Sequence, residues 1–410
     1  MAAASSLSSA AKGALLLPWA RGAAHGGGGL ARVLLSGALA TAGGGGGGGS
    51  RRWQSSLPQL DHADRSDEES GGEIDWDNLG FGLTPTDYMY VMRSSPEDLG
   101  GGFSRGELCR YGNIELSPSS GVLNYAQGLF EGMKAYRRQG GGGYTLFRPE
   151  ENARRMQHGA ERMCMPAPSV DQFVRAVKDT VLANRRWVPP QGKGALYLRP
   201  LLMGSGPILG LAPAPEYTFL IYAAPVGNYF KEGLAPINLV VDDAFHRAMP
   251  GGTGGVKTIA NYAPVLRAQV DAKSKGFTDV LYLDSVHKRY LEEVSSCNVF
   301  VVKGGAVATP AARGTILPGI TRKSVIELAR ERGYTVEERL VSIDELVDAD
   351  EVFCTGTAVV VAPVSSVTYQ GQRHAFRTGP DTLAQELYTT LTSIQMGLAE
   401  DSKGWTVAVD

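Results

Sequence analysis

Apolar residues recur along this chain in two rhythms, and the changes between them mark out its elements. Val170, Phe173, Val174, Val177, Val181 and Leu182 keep close to a 3.6-residue period, which predicts a helix over 170–184 with one buried face. A second helix opens at Pro149, where proline suits the first turn, and runs to about Met163. Short apolar runs bounded by turn residues predict strands at 88–92, 107–111, 144–147, 195–202, 218–223, 237–242, 279–283, 299–302 and 352–354. The stretch 123–136 reads as a helix end running into a strand, and 257–275 as a loop followed by a helix. Further helices are predicted at 321–332, after Pro318-Gly319, and at 380–397 as the terminal element. Strands and helices alternate irregularly, so the pattern predicts an α/β protein with α+β mixed sheets rather than one doubly wound sheet. A smaller N-terminal domain (81–223) and a larger C-terminal one (237–400) are expected, joined by an interdomain loop at 224–236.

The first 60 residues follow neither rhythm. They carry Lys12, Arg21, Arg32, Arg51 and Arg52 but no acid before Asp61, and Ala, Ser, Leu and Gly dominate. That composition predicts an organelle transit peptide, followed by an acidic linker over 61–80. The run Arg51-Arg52-Trp53-Gln54-Ser55-Ser56 suits the end of a mitochondrial presequence, whereas Met-Ala-Ala-Ala-Ser-Ser at the start suits a chloroplast equally; the mitochondrion is slightly preferred.

Composition narrows the function classes. A net charge of −2 over 410 residues leaves no basic footprint, which argues against nucleic acid as a partner. No run of 18 apolar residues occurs, so no membrane span is predicted. The four cysteines are far apart with no Cys-x-x-Cys pair, and the six histidines are scattered, so neither a disulfide framework nor a metal site is expected.

The chemistry concentrates at 250–264, Pro-Gly-Gly-Thr-Gly-Gly-Val-Lys-Thr-Ile-Ala-Asn-Tyr-Ala-Pro. Four glycines precede Lys257, and glycine serves where backbone takes positive φ or approaches something closely. The spacing is not that of a phosphate-cradling Walker loop. A lysine used for chemistry is most often a Schiff-base lysine; a surface turn with a solvated lysine is the other reading of the loop alone.

Further motifs carry a resemblance. Leu291-Glu292-Glu293-Val294-Ser295-Ser296-Cys297-Asn298, Leu317-Pro318-Gly319-Ile320-Thr321-Arg322, Phe130-Glu131-Gly132-Met133-Lys134, Tyr197-Leu198-Arg199-Pro200 and Gly356-Thr357-Ala358 match motifs of fold-type IV pyridoxal-phosphate enzymes. Over roughly residues 80 to 400 the chain resembles the branched-chain amino-acid aminotransferases, above all the plant organellar members. The resemblance implies a two-domain fold with pyridoxal 5'-phosphate between the domains, and a homodimer in which a partner loop closes each site. It implies transfer of an amino group between L-leucine, L-isoleucine or L-valine and 2-oxoglutarate. A D-amino-acid aminotransferase or an aminodeoxychorismate lyase on the same fold is the alternative.

Residue by residue, the resemblance makes Lys257 the Schiff-base lysine and proton carrier, which needs a depressed pKa. Glu293 would face the pyridine nitrogen and keep it protonated, while Glu292 is expected to be solvated at a strand end. The amides of Ile320 and Thr321, at a helix start, would take the phosphate with Arg155, which is preferred over Arg154. Tyr262 would bond the ring hydroxyl, and Ser296 and Thr357 would add hydroxyls on the phosphate side. Tyr125, Phe130, Tyr197, Arg199 and Tyr229 would line the substrate cleft, with Thr357 and Ala358 offering amides to the α-carboxylate. Tyr197 and Arg199 alternate by two along a strand and face one side, which suits Arg199 to a γ-carboxylate; pairing with an acid of its own domain is its other fate. Val359 and Ala362 stand where some animal members have a Cys-x-x-Cys pair, so no thiol switch is implied.

Overall fold

The computed structural model describes residues 74–95, 102–227 and 234–410, all of them inside one compact unit, Leu57–Asp410. The expected transit peptide, most of the acidic linker and Tyr229 lie outside the described residues.

The first half comprises β1 (Tyr88–Ser94), β2 (Glu107–Arg110), α1 (Gly121–Tyr125), β3 (Gly128–Phe130), β4 (Met133–Arg137), β5 (Tyr144–Phe147), α2 (Pro149–Arg162), α3 (Val170–Ala183), β6 (Ala195–Gly204) and β7 (Tyr217–Val226). The second comprises β8 (Ile237–Asp242), α4 (Leu266–Ser274), β9 (Asp279–Leu283), β10 (Leu291–Val294), β11 (Asn298–Lys303), β12 (Ala306–Pro310), α5 (Ile320–Glu331) and β13 (Thr335–Arg339). After these come α6 (Ile343–Val347), β14 (Glu351–Gly356), β15 (Val360–Tyr369), β16 (Gln372–Ala375), α7 (Leu383–Gln395) and β17 (Thr406–Val409).

One sheet runs β17-β5-β4-β6-β7-β1-β2, with β3 also against β6, and its pairings are antiparallel. The other runs β10-β9-β8-β15-β14-β11-β12-β13, with β16 on β15. It is mixed, with parallel pairs at β8–β9, β8–β15 and β12–β13.

Local sequence explains the layers. Ser169 and Gln172 close a reciprocal capping box at the start of α3, satisfying two otherwise orphaned amides. The 3.6 period of α3 then buries Phe173, Val177 and Val181 against Phe219 and Ile221 of β7, while Leu220 points to the opposite face with Met89 and Val91. Over the second sheet, Val325 and Leu328 of α5 and Leu387 and Leu391 of α7 cover Phe300 and Phe353, whose rings stack at 4.9 Å.

Three expectations about elements change. Strand β7 continues through Val226, so the interdomain stretch begins later than 224. The segment 123–136 is one short helix followed by two strands, β3 and β4, both paired with β6. The helix near 380–397 is not terminal: β17 follows it and returns to the first sheet beside β5. That return joins Thr406 to Phe147, a partner far back in the chain that local periodicity does not encode.

Candidate active site

The glycines before Lys257 serve close packing. A methyl group on Gly254 would lie 2.5 Å from Ala248 Cβ and 2.6 Å from the Thr315 carbonyl oxygen, and one on Gly255 would lie 2.9 Å from the Gly314 carbonyl oxygen. Only Gly251 among them takes positive φ. The loop is therefore pressed backbone to backbone against the segment before α5. Asn261 staples it, donating 2.8 Å bonds to the carbonyls of Thr253 and Val256.

This fixed loop meets the first sheet at its end. Phe130 N donates to the Lys257 carbonyl (3.1 Å), and the buried Thr258 hydroxyl donates to the Gly128 carbonyl (2.9 Å). The Lys257 side chain is thus aimed between the sheets. Its Nζ lies 3.0 Å from Tyr262 Oη and 4.6 Å from the centre of the Phe130 ring, which itself packs 4.8 Å from the Tyr262 ring.

Glu293, 3% exposed, is the buried acid of the cluster. Its Oε1 accepts from Asn298 Nδ2 and from the Leu317 amide, each at 2.7 Å, and its Oε2 pairs with Arg247 at 2.9 Å. Burial pushes this carboxyl up from its ordinary range, against the pull of Arg247 and the Leu317 amide. Asn298 also explains Gly319: a methyl group there would lie 2.1 Å from Asn298 Oδ1. The acid and the loop that opens α5 are built as one piece.

Glu292 departs from expectation. It is 7% exposed rather than solvated. The β9–β10 pairing advances three residues on β10, Leu291 to Val294, for two on β9, Leu283 to Leu281. This irregularity suspends simple alternation across the two acids, so an acid next to Glu293 need not face solvent.

Helix α5 begins at Ile320 after Gly319, with no side-chain cap, so its first amides have no partner within the helix and suit an anion. Arg155 reaches this end, donating from Nη1 to the Pro318 carbonyl at 3.1 Å. It is also gripped by Glu131, through Nε at 2.8 Å and Nη2 at 2.6 Å, and Asn152 Nδ2 bonds the same carboxylate at 2.8 Å. Burial works against the Arg155 charge, but Glu131 outweighs it and raises the guanidinium's pKa. Arg154 points elsewhere: its side chain is 58% exposed and pairs with Glu151. Ser296 sits exposed in the turn after β10, 3.9 Å from Cys297 Sγ.

Thr357 and Ala358 form the turn between β14 and β15, and β4 and its approach clasp it. Thr357 Oγ1 donates to the Gly132 carbonyl at 3.3 Å, and Lys134 Nζ donates to the Ala358 carbonyl at 2.8 Å. Burial lowers the Lys134 ammonium to about 8. Ile320, Thr321 and Thr357 share one pocket with Gly132, Lys134 and Asn152.

Arg199 lies over two rings, 4.8 Å from the centre of Phe130 and 5.3 Å from that of Tyr197, with a 3.4 Å contact to Tyr197 Oη. Its Nε is buried without a partner. Among the described residues it makes no ion pair. Gly132 admits this arrangement, since a methyl group there would lie 2.0 Å from Tyr197 Oη. Tyr125 belongs to another group: its hydroxyl donates to the Leu209 carbonyl in the β6–β7 hairpin, and it has no hydrogen bond or ring contact with Lys257, Phe130 or Tyr262 among the described residues.

Several residues around the site carried no sequence signal that singled them out. Arg247, Asn298, Glu131, Asn152, Asn261 and Lys134 act through contacts that form only in the fold. Glu131, Lys134 and Asn298 lie inside quoted motifs, and Asn261 inside the lysine loop, which is the one hint they gave.

A lysine beside a tyrosine, a buried acid and an uncapped helix start stand together between two mixed α/β layers, and the fold is that of the fold-type IV aminotransferases. The chain belongs to the class IV amino-transferase family, whose profile matches residues 128–367. Over 336 residues it is 68% identical to branched-chain-amino-acid aminotransferase 3, chloroplastic, of Arabidopsis thaliana, covering 82% of this chain and 81% of that protein. It is 60% identical over 357 residues to branched-chain amino acid aminotransferase 1, mitochondrial, of Humulus lupulus, covering 87% and 90%. Among solved structures it is similar to the Escherichia coli branched-chain amino acid aminotransferase (TM-score 0.68, 29% identity, 79% of this chain and 100% of that one). It is similar also to the T.th. branched-chain amino acid aminotransferase with pyridoxamine 5'-phosphate (TM-score 0.68, 26% identity, 79% and 99%).

Proposed function

We propose that this chain is a pyridoxal-phosphate-dependent branched-chain amino-acid aminotransferase. It exchanges an amino group reversibly between L-leucine, L-isoleucine or L-valine and 2-oxoglutarate, giving branched-chain 2-oxo acids and L-glutamate. The carrying observation is the 65–69% identity, over 82% of the chain, to four proteins named as branched-chain aminotransferases. Purified protein should transaminate L-leucine with 2-oxoglutarate and leave D-alanine untouched. L-Methionine belongs in the same assay, because a methionine aminotransferase of Arabidopsis thaliana is 50% identical over 84% of the chain. D-Alanine turnover without L-leucine turnover would overturn the reading.

The residues fit the cofactor. An uncapped helix start at Ile320 and Thr321 with Arg155 beside it suits a phosphate, Tyr262 suits a ring hydroxyl, and buried Glu293 suits a protonated ring nitrogen. When bound, pyridoxal phosphate supplies an electron sink for the substrate's α-carbon. Lys257 Nζ moves the proton to and from that carbon, with Tyr262 Oη holding the amine in place at 3.0 Å. Thr357 and Ala358 orient the α-carboxylate with backbone amides, Phe130 walls the aliphatic side chain, and Arg199 meets the γ-carboxylate of glutamate. Thr357 also serves the phosphate side with Ser296.

A homodimer fits the surface. Leu209 and Leu211 in the β6–β7 hairpin are 90% and 87% exposed, and the hairpin is tied to Tyr125. Exposed neighbouring leucines suit a partner's site better than water. In that assembly Tyr125 serves across the interface; light scattering of the purified chain measures the mass. The two sheets support a smaller domain that runs through Val226 and takes back β17, and a larger one that starts at Ile237. The destination is an organelle. The relatives named chloroplastic are 65–69% identical and those named mitochondrial 57–60%, which weighs toward the plastid against the slight mitochondrial preference from Arg51–Ser56. A fluorescent fusion of residues 1–70 decides between them.

A further inference from the structure

Two carboxylates stand side by side on β10, and the reading above uses one. The other, Glu292, is buried with an unusual set of partners. Its Oε1 accepts from the Thr315 hydroxyl at 2.8 Å, while its Oε2 is buried with no partner. A carboxylate that leaves one oxygen unsatisfied in a dry site favours its protonated form. The carbonyl of that same Thr315 accepts from Arg247 Nη2 at 2.5 Å, and Arg247 Nη2 pairs with Glu293. Arg247 Nε is itself buried without a partner. Thr315 from the loop before α5 bonds Glu292, and the charges that act on it are Arg247 from the loop before Lys257, Glu293 beside it and Asp284 from the turn before β10.

Charge balance gives this arrangement a purpose. With Glu292 neutral, Arg247 and Glu293 cancel each other, while the Asp284 charge is already met by the amides of Val286, His287, Arg289 and Tyr290. A protonated ring nitrogen beside Glu293 adds a positive charge, which the low-dielectric site tolerates poorly unless a further negative charge appears.

We propose that Glu292 is the counter-charge for the ring nitrogen: neutral in the cofactor-free protein, ionised once the protonated ring lies against Glu293. The inference rests on Glu293 facing that nitrogen. The proton shed from Glu292 is matched by the proton the ring nitrogen takes up, so the summed charge of Arg247, Glu293, Glu292 and the ring is the same before and after. Burial, opposed by the Thr315 hydrogen bond and Arg247, pushes the Glu292 carboxyl up to about 7 in the cofactor-free chain, which supports the neutral form there.

The test compares wild type, Glu292→Gln and Glu292→Asp. Glutamine accepts the Thr315 hydroxyl as glutamate does, so the fold is retained, and melting curves check this. Infrared spectra of the cofactor-free protein at about pH 6, below the carboxyl's value of about 7, should show a protonated carboxyl band. That band should be absent in Glu292→Gln and vanish from wild type when pyridoxal phosphate binds. Affinity should separate pyridoxal phosphate from its analogue with carbon in place of the ring nitrogen. Glu292→Gln should weaken the former about ten-fold relative to the latter, with Glu292→Asp restoring most of the difference. Persistence of the band in the cofactor-bound protein, or equal weakening toward both compounds, would overturn the proposal while leaving the aminotransferase reading intact. Failure of wild type to form a borohydride-reducible adduct at Lys257 would overturn that reading and the proposal with it.

Discussion

The two walls of the cleft are built on opposite plans. On the side of the second sheet, the acid is held by several partners: Glu293 has Asn298, the Leu317 amide and Arg247, and the lysine loop is stapled by Asn261 and pressed against Gly314 and Thr315. On the side of the first sheet, Arg199 rests on aromatic faces with its Nε unsatisfied and no acid paired to it among the described residues. A group that stays in one orientation is best held by fixed donors, whereas a surface serving both an aliphatic chain and a carboxylate needs a cation that stays available. On the proposed reading, the cofactor side is preorganised and the substrate side is left to be completed by its ligand.

Substitutions can break that contrast, and the largest effect belongs to the fixed side. Lys257→Ala should fold normally by circular dichroism yet retain below about one per cent of the leucine transamination rate, because the stapled loop aims this one amine at Tyr262 and Phe130. Activity near wild type would move the proton carrier elsewhere. Glu293→Gln comes next, with a loss of about a hundred-fold, since an amide holds a ring proton poorly and leaves Arg247 buried without its partner. Steady-state rates at saturating cofactor measure it.

Arg199→Met tests the open side and should act selectively. The glutamate half-reaction should fall about ten-fold or more and the leucine half-reaction far less, because a site built for a polar group loses most when that pairing is removed. Single-turnover absorbance changes with each amino acid separate the two, and equal losses would assign Arg199 to the fold. The smallest effect concerns stability. Glu292 is raised by burial from 4.5 to about 7. The folded cofactor-free chain therefore holds a proton that the unfolded chain releases between those values. Its contribution is full below about 4.5 and is lost as pH rises through about 7. Glu292→Gln should flatten that limb in urea melts taken from about pH 4.5 to about pH 7.5, and an unchanged limb would place the titration on another group.

Local order was legible in the chain. The apolar period of 170–184, the proline opening α2 and the glycines before Lys257 each act within a few residues, so helix, strand and loop could be read directly. The alternation of Tyr197 and Arg199 placed them on one side of β6, as found where Arg199 lies over both Phe130 and Tyr197. What the glycines were for was not legible, because Gly254 is required by Thr315, which lies far along the chain.

Local patterns in the chain located the long helices, many of the strands, the lysine, and the neighbouring pairs Glu292-Glu293 and Arg154-Arg155, but not β10, β12, β13, β15, β16 or β17. Tertiary structure decided which of each pair does what. Arg155 and not Arg154 reaches the start of α5, because Glu131 pulls it inward from the segment between β3 and β4. The irregular β9–β10 pairing leaves Glu292 buried beside Glu293 instead of in solvent. Arg247 becomes the partner of Glu293 only once two loops close on one another. Periodicity and capping act over one or two turns, whereas burial and ion pairing depend on segments that meet only when the sheets pack.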